Sequence, residues 1–180
     1  MTISRVALRE ATTADAAAIA DAHAAAIREL GSESYDDAQV EAWLSNVRGE
    51  RYPLEEAGIR VVVAERNGAG DSAEREDSGD IVGFGLLDLE PSGVDEPAVG
   101  TIGAVYVHPD AVREGVGSAI LERLESAARE AGLETLRLTA SRNAIDFYSK
   151  RGYEGVETVS LDMTDEVSLA ALRMRKRLVR

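Results

Sequence analysis

The chain has 180 residues, 33 Asp and Glu against 20 Lys and Arg, and a formal net charge of -13. With no cysteine and only two histidines, His23 and His108, it excludes disulfides, thiolate metal sites, cysteine nucleophiles and a three-histidine zinc centre. At 44% hydrophobic residues the length suits one domain with a proper core, read here as residues 1–180.

No apolar run approaches a membrane span, and charged residues near the N-terminus leave no room for a signal-peptide core. The expectation is a cytoplasmic protein without membrane partners. An acidic chain is a poor binder of phosphate backbones, so no nucleic-acid partner is expected. Only Lys150 and Lys176 are lysines. Acid excess with almost no lysine fits a halophilic source, because negative charge maintains solubility in salt. An acidic cleft for a cationic substrate is the competing explanation.

Ile3 to Arg9 reads as a first strand. Thr12 and Thr13 offer N-caps for a helix carrying Ile19, His23, Ile27 and Leu30, with Gly31 as its stop. A second helix starts near Asp36 or Asp37 and carries Val40, Trp43, Leu44 and Val47. Ile59–Glu65 and Ile81–Leu89 read as strands of a hairpin. The polar stretch 67–80 between them reads as an exposed loop whose composition permits disorder. Val99–Val107 is a further strand, with Gly100 and Gly103 hinting at a bulge. A helix over about Gly117–Ala131, a strand over Glu134–Ala140, a short helix over Ala144–Lys150 and strands over Tyr153–Leu161 and Leu172–Leu178 complete the order β-α-α-β-β-β-α-β-α-β-β.

Two stretches carry chemistry. In Val105–Gly117 (VYVHPDAVREGVG) a strand ends at a proline and enters a helix through two glycines. Such a loop leaves backbone N–H groups free at a helix N-terminus, where the dipole favours an anion. Arg113 adds positive charge, so the stretch reads as a phosphate or pyrophosphate site. A tight turn that binds nothing is the alternative. No Gly-Lys-Ser/Thr follows, and Ile120 stands where a dinucleotide fold has its third glycine. In Thr139–Tyr153 (TASRNAIDFYSKRGY) a strand opens onto a short helix with adjacent Phe147 and Tyr148. Adjacent helical residues point in different directions, so one aromatic packs and the other can face a cleft.

Together the two stretches resemble the acyl-CoA-binding motif and the second motif (ASxNAxxFYxxxGY) of the GNAT superfamily of N-acetyltransferases. The resemblance implies an α/β (α+β) fold. Its centre is a mixed, mostly antiparallel seven-stranded sheet, flanked by about four helices and splayed between strands four and five. It implies acetyl-CoA as cosubstrate, no metal, an amine acceptor and a homodimer as the default oligomer. Val105, Tyr106 and Val107 match the strand that binds the pantetheine arm. Main-chain amides of Arg113, Glu114, Gly115, Val116, Gly117 and Ser118 match the pyrophosphate loop. Gly103 and Ala104 fall where the family's strand bulges. Tyr148 matches the tyrosine that protonates the departing thiolate.

Three departures stand out. Val112 replaces the family's Gln or Arg, with Arg113 expected to compensate. Ser141 replaces an asparagine that touches the cofactor, with Asn143 as substitute. Thr101, Ile102 and Gly103 offer no carboxylate base. By type, the candidates for a base are His23, Asp88, Glu90 and, through water, Tyr35. His23 also reads as a packed core histidine, His108 as a structural turn residue, and Trp43 as core or pocket wall. The expected function is direct acetyl transfer to a primary amine in a ternary complex. A non-catalytic CoA-binding regulatory module remains the alternative.

Overall fold

A computed structural model describes residues 6–67 and 80–179. The 67–80 loop therefore lies almost wholly outside the described residues, as does the start of the expected first strand. The elements are β1 (Val6–Glu10), α1 (Ala16–Leu30), α2 (Asp37–Leu44), β2 (Ile59–Arg66), β3 (Asp80–Asp88), β4 (Val99–Val107), α3 (Val116–Glu130), β5 (Thr135–Ser141), α4 (Ile145–Ser149), β6 (Glu154–Asp162) and β7 (Ser168–Arg177). They follow the order expected from the sequence.

Local chemistry fixes the helix ends. The Asp15 carboxylate accepts from the Thr12 N–H at 2.7 Å, and Arg9 clamps it through two nitrogens at 2.8 Å. Arg9 also reaches Glu65 at 2.9 Å, which ties β1 to β2 and to the start of α1. This pairing holds the Asp15 carboxyl below its usual range. Asp36 caps α2 by accepting from the Gln39 N–H at 2.8 Å, while Gln39 accepts from the Asp36 N–H at 3.1 Å. Gly31 caps the C-terminus of α1 as expected, but without the left-handed turn of a usual glycine stop. Its φ is -65°, and the chain runs on through a 3-10 turn at Gly31–Glu33. A Cβ there would lie 3.3 Å from the Trp43 ring, so the glycine serves the contact of α1 with Trp43.

The seven strands form one mixed sheet in the order β1-β2-β3-β4-β5-β7-β6. All neighbours are antiparallel except β4 and β5. Successive side chains on β3 point to opposite faces. Ile120 and Leu124 of α3 lie over Gly85, where a Cβ would come within 2.5 Å of Ile120. On the other face, Phe84 meets His23 of α1, with ring centroids 5.4 Å apart. Hence α1 and α3 cover opposite faces.

A polar anchor joins α3 to the far side of the sheet. The buried Glu125 carboxylate accepts from Lys176 Nζ at 2.9 and 3.0 Å and from the Tyr153 hydroxyl at 3.1 Å. Burial, reinforced by Glu125, raises the Tyr153 hydroxyl pKa. Glu125→Ala leaves Lys176 facing an apolar surround without its counter-charge. Lys176 keeps some solvent access, so the expected loss is roughly 2–4 kcal/mol, below the full cost of breaking a fully buried pair. Urea titration checks this; a loss under ~1 kcal/mol would make the anchor dispensable.

Candidate active site

The site begins with a defect in β4. Leu86 pairs with Ala104 and Leu87 with Ile102, so Gly103 is an extra residue facing no partner. That is the bulge expected at Gly103 and Ala104. The parallel pairing of β4 with β5 covers only Val99–Ile102 against Thr135–Leu138. Beyond it the strands diverge. The β5-facing backbone groups of Gly103–Val107 are left without a strand partner.

A cleft of about 360 Å³ occupies this gap. It runs from the N-terminus of α3 on one face, between β4 and β5, to α1 and α2 on the other. Val105, Tyr106, Val107, Arg113, Gly115, Val116, Gly117, Ser118, Ser141, Asn143 and Tyr148 all line it. Of the expected site residues, only Glu114 does not. Its carboxylate turns to Arg66, 2.5 Å away.

The loop before α3 is built to present amides. Arg113 (φ 65°) and Gly115 (φ 81°) are both left-handed, a geometry that turns successive N–H groups into an anion-binding concavity. Gly115 supplies this conformation without cost, whereas Arg113 adopts it at some strain. Among the described residues, no hydrogen bond engages the N–H groups of Arg113–Ser118; the first helical bond runs from the Ala119 N–H to the Gly115 carbonyl. Gly117 sits against Phe147 and Val107. A Cβ there would lie 3.2 Å from Phe147 Cε2 and 3.4 Å from Val107 Cγ2.

Sequence reasoning missed Arg151. Its guanidinium stacks on the Phe147 ring at 3.8 Å. It donates to the Phe147 carbonyl at 2.7 Å and, through Nε, to Ser118 Oγ at 3.1 Å; Nη2 also contacts Ser118 Oγ. It lines the cleft with the exposed Arg113, so two cations flank the free amides. The only sequence signal was its place beside Gly152, which by itself says nothing of a contact 33 residues away.

Tyr148 is 5% exposed and lines the cleft. Its hydroxyl has no hydrogen-bond partner among the described residues, and burial raises its pKa. Asn143 Oδ1 is likewise buried without a partner among the described residues. Ser141 and Asn143 both border the cleft, as expected for the positions that would replace the family's asparagine.

None of the base candidates lines the cleft. The Tyr35 hydroxyl donates to the Ala170 carbonyl at 2.7 Å and accepts from the Arg142 N–H at 3.0 Å, so it is engaged structurally. Asp88 accepts from the Glu90 N–H at 2.9 Å. His23 lies 2.8 Å from the Tyr52 hydroxyl through Nδ1, and its Nε2 is buried without a partner among the described residues. Burial lowers its pKa to about 4 and lifts Tyr52 to about 12. His23 is therefore a neutral, packed imidazole at pH 7, seated against the Tyr106 ring at 4.1 Å. His108 has the structural role expected of it, accepting from the Asp110 N–H at 3.1 Å. No Asp or Glu borders the cleft among the described residues.

The model of the GNAT acetyltransferase family matches residues 25–153. The chain belongs to that family. No curated protein sequence matches it significantly. Among solved structures, it is similar to a "GCN5-related N-acetyltransferase: aminotransferase, class-II" from Rhodopseudomonas palustris. The two share 30% identity over 99% of both chains, with a TM-score of 0.77. It has the fold of the PaiA N-acetyltransferase from Thermoplasma acidophilum in complex with coenzyme A: 18% identity, 97% of this chain, 99% of that one, TM-score 0.67. It likewise has the fold of YncA from Salmonella typhimurium with acetyl-CoA: 21% identity, 97% and 95% coverage, TM-score 0.64. Among the described residues no helix is long and apolar enough to cross a membrane, and no cluster of three or more metal-ligating side chains occurs.

Proposed function

We propose that the protein is an acetyl-CoA-dependent N-acetyltransferase that moves the acetyl group directly to a primary amine in a ternary complex. One observation carries the reading. A run of unengaged amides at a helix N-terminus, flanked by Arg113 and Arg151, opens onto a cleft through a splayed sheet. That donor set fits a pyrophosphate. The strand edge beside it fits an extended amide-bearing arm. The buried, unpartnered Asn143 Oδ1 adds an acceptor at the same wall.

Bound acetyl-CoA would supply an activated acetyl thioester. The chain's own residues do the rest. Amides of Arg113–Ser118 hold the phosphates, with Arg113 taking the charge role that Val112 cannot. Val105, Tyr106 and Val107 align the arm through their main chain. The Gly103 bulge keeps β4 apart from β5, and a freed β4 amide donates to the oxygen where negative charge develops. Tyr148, protonated at neutral pH, directs its O–H toward the leaving sulfur. The acid excess supports a salt-adapted cytoplasmic protein, with residues 1–180 acting as one domain.

Calorimetric titration of acetyl-CoA in low-salt and high-salt buffer tests this, with melting followed in each. Micromolar binding is the expected result, together with a melting midpoint that rises with KCl. Absence of binding to the folded protein would overturn the enzymatic reading. A midpoint indifferent to salt would overturn the halophilic one.

A further inference from the structure

The cleft has two chemically different ends. At the α3 end it carries arginines and free amides. Where it passes through the sheet, its walls are Ala26, Ile27 and Leu30 of α1, Trp43 of α2 and Tyr106 of β4. None of these five side chains is charged. Trp43 and Tyr106 meet edge to face with centroids 6.2 Å apart. Burial raises the Tyr106 hydroxyl pKa, so it stays neutral. Gly31 holds this wall in place, since any Cβ there would press on the Trp43 ring.

Resting on the acetyltransferase reading above, we infer that the acceptor is a primary amine carried on an uncharged apolar body, such as an arylalkylamine, rather than a polyamine or an amino acid. A polycation or a zwitterion would bury charge against this wall, where no charged side chain among the described residues of α1, α2 and β4 lines the cleft to pair it. An apolar amine buries its body there and presents a single nitrogen to the gap between β4 and β5.

The same wall accounts for the missing base. Burial disfavours a charged ammonium, so the arm itself shifts the bound amine toward its neutral form. The step then balances without a carboxylate. The amine nitrogen forms the C–N bond to the acetyl carbon as the C–S bond breaks. The amine gives up one proton to solvent, the sulfur gains one from Tyr148, and Tyr148 regains its proton from solvent.

Trp43 is the only tryptophan, so its emission reports directly on the arm. The protein is titrated with 2-phenylethylamine, n-hexylamine, spermidine and L-lysine in the presence of CoA. The same amines are then assayed for thiol release from acetyl-CoA. The two apolar amines are expected to change Trp43 emission saturably, with Kd at least tenfold below that of spermidine or lysine, and to show kcat/KM at least tenfold higher. Equal or better binding and turnover of spermidine or lysine would overturn the inference and leave the acetyltransferase reading intact. Tight binding of apolar amines without any thiol release would support the arm and overturn the reading. Leu30→Glu places a carboxylate in the arm at a half-buried position and should weaken 2-phenylethylamine binding at least tenfold. Leu30→Met should retain the preference. Unchanged selectivity in a folded Leu30→Glu protein would also overturn the inference.

Discussion

Gly117→Asp is expected to weaken acetyl-CoA binding at least 100-fold while leaving the protein folded. Two effects act together. The new Cβ meets Phe147 at 3.2 Å and Val107 at 3.4 Å, so the ring must yield by a few tenths of an ångström. Phe147 is not free to yield cleanly, because Arg151 stacks on it and is bonded to Ser118. The larger effect is electrostatic. A carboxylate in the first turn of α3 competes for the amides that would otherwise hold phosphate, and it repels the phosphate itself. That placement suits the helix, since acidic residues near an N-terminus are favourable, so global stability should change little. A 100-fold loss corresponds to about 2.7 kcal/mol. Calorimetry with a parallel melting curve checks both halves. Affinity within threefold of the parent would mean that these amides do not hold the cosubstrate.

The part of the site legible in the sequence was local. The glycine loop and Tyr148 each lie within a dozen or so residues of a strand end, and their surroundings follow from turn and helix chemistry. Gly103 signalled the bulge because an interior glycine weakens a strand. The hairpin of β2 and β3 and the element order were readable for the same reason. What stayed hidden depends on distant pairs. Arg151 reaches Ser118 only because α4 folds back on α3. The neutral character of His23 comes from Tyr52, Phe84 and Tyr106, which sit on three other segments. Gly31 was readable as the stop of α1, but its contact with Trp43 could not be read without the packing of α1 on α2. The apolar arm has the same origin. Ala26, Ile27, Leu30 and Trp43 have the spacing of ordinary core residues, and only the splay of β4 from β5 turns them into a cleft wall.

Tyr148→Phe should lower kcat by roughly 10- to 100-fold, at or below the lower end of general-acid contributions, and leave the KM for acetyl-CoA within about threefold. The direction of the pKa shift sets that magnitude. Burial raises the hydroxyl above the ordinary tyrosine value, so the proton is present throughout the neutral and mildly alkaline range. The same burial makes it a reluctant acid toward a thiolate, whose conjugate thiol has a reference value near ~8.5. The hydroxyl therefore contributes most as a hydrogen-bond donor to charge developing on sulfur, with full transfer late in the step. Because the O–H has no partner within the described residues, removing it breaks no native hydrogen bond. The Phe variant should melt at about the same temperature, since the hydroxyl borders the cleft and makes no hydrogen bond to the described residues. A fall in kcat at unchanged melting would thus report chemistry rather than misfolding. Nor should the parent enzyme show an alkaline loss of kcat from Tyr148 below about pH 10. If kcat stayed within twofold in the variant, the proton would have to reach the sulfur from water in the cleft. Tyr148 would then serve as a wall of the cleft, packed by Phe147 and Tyr153 at centroid distances of 5.1 and 5.6 Å.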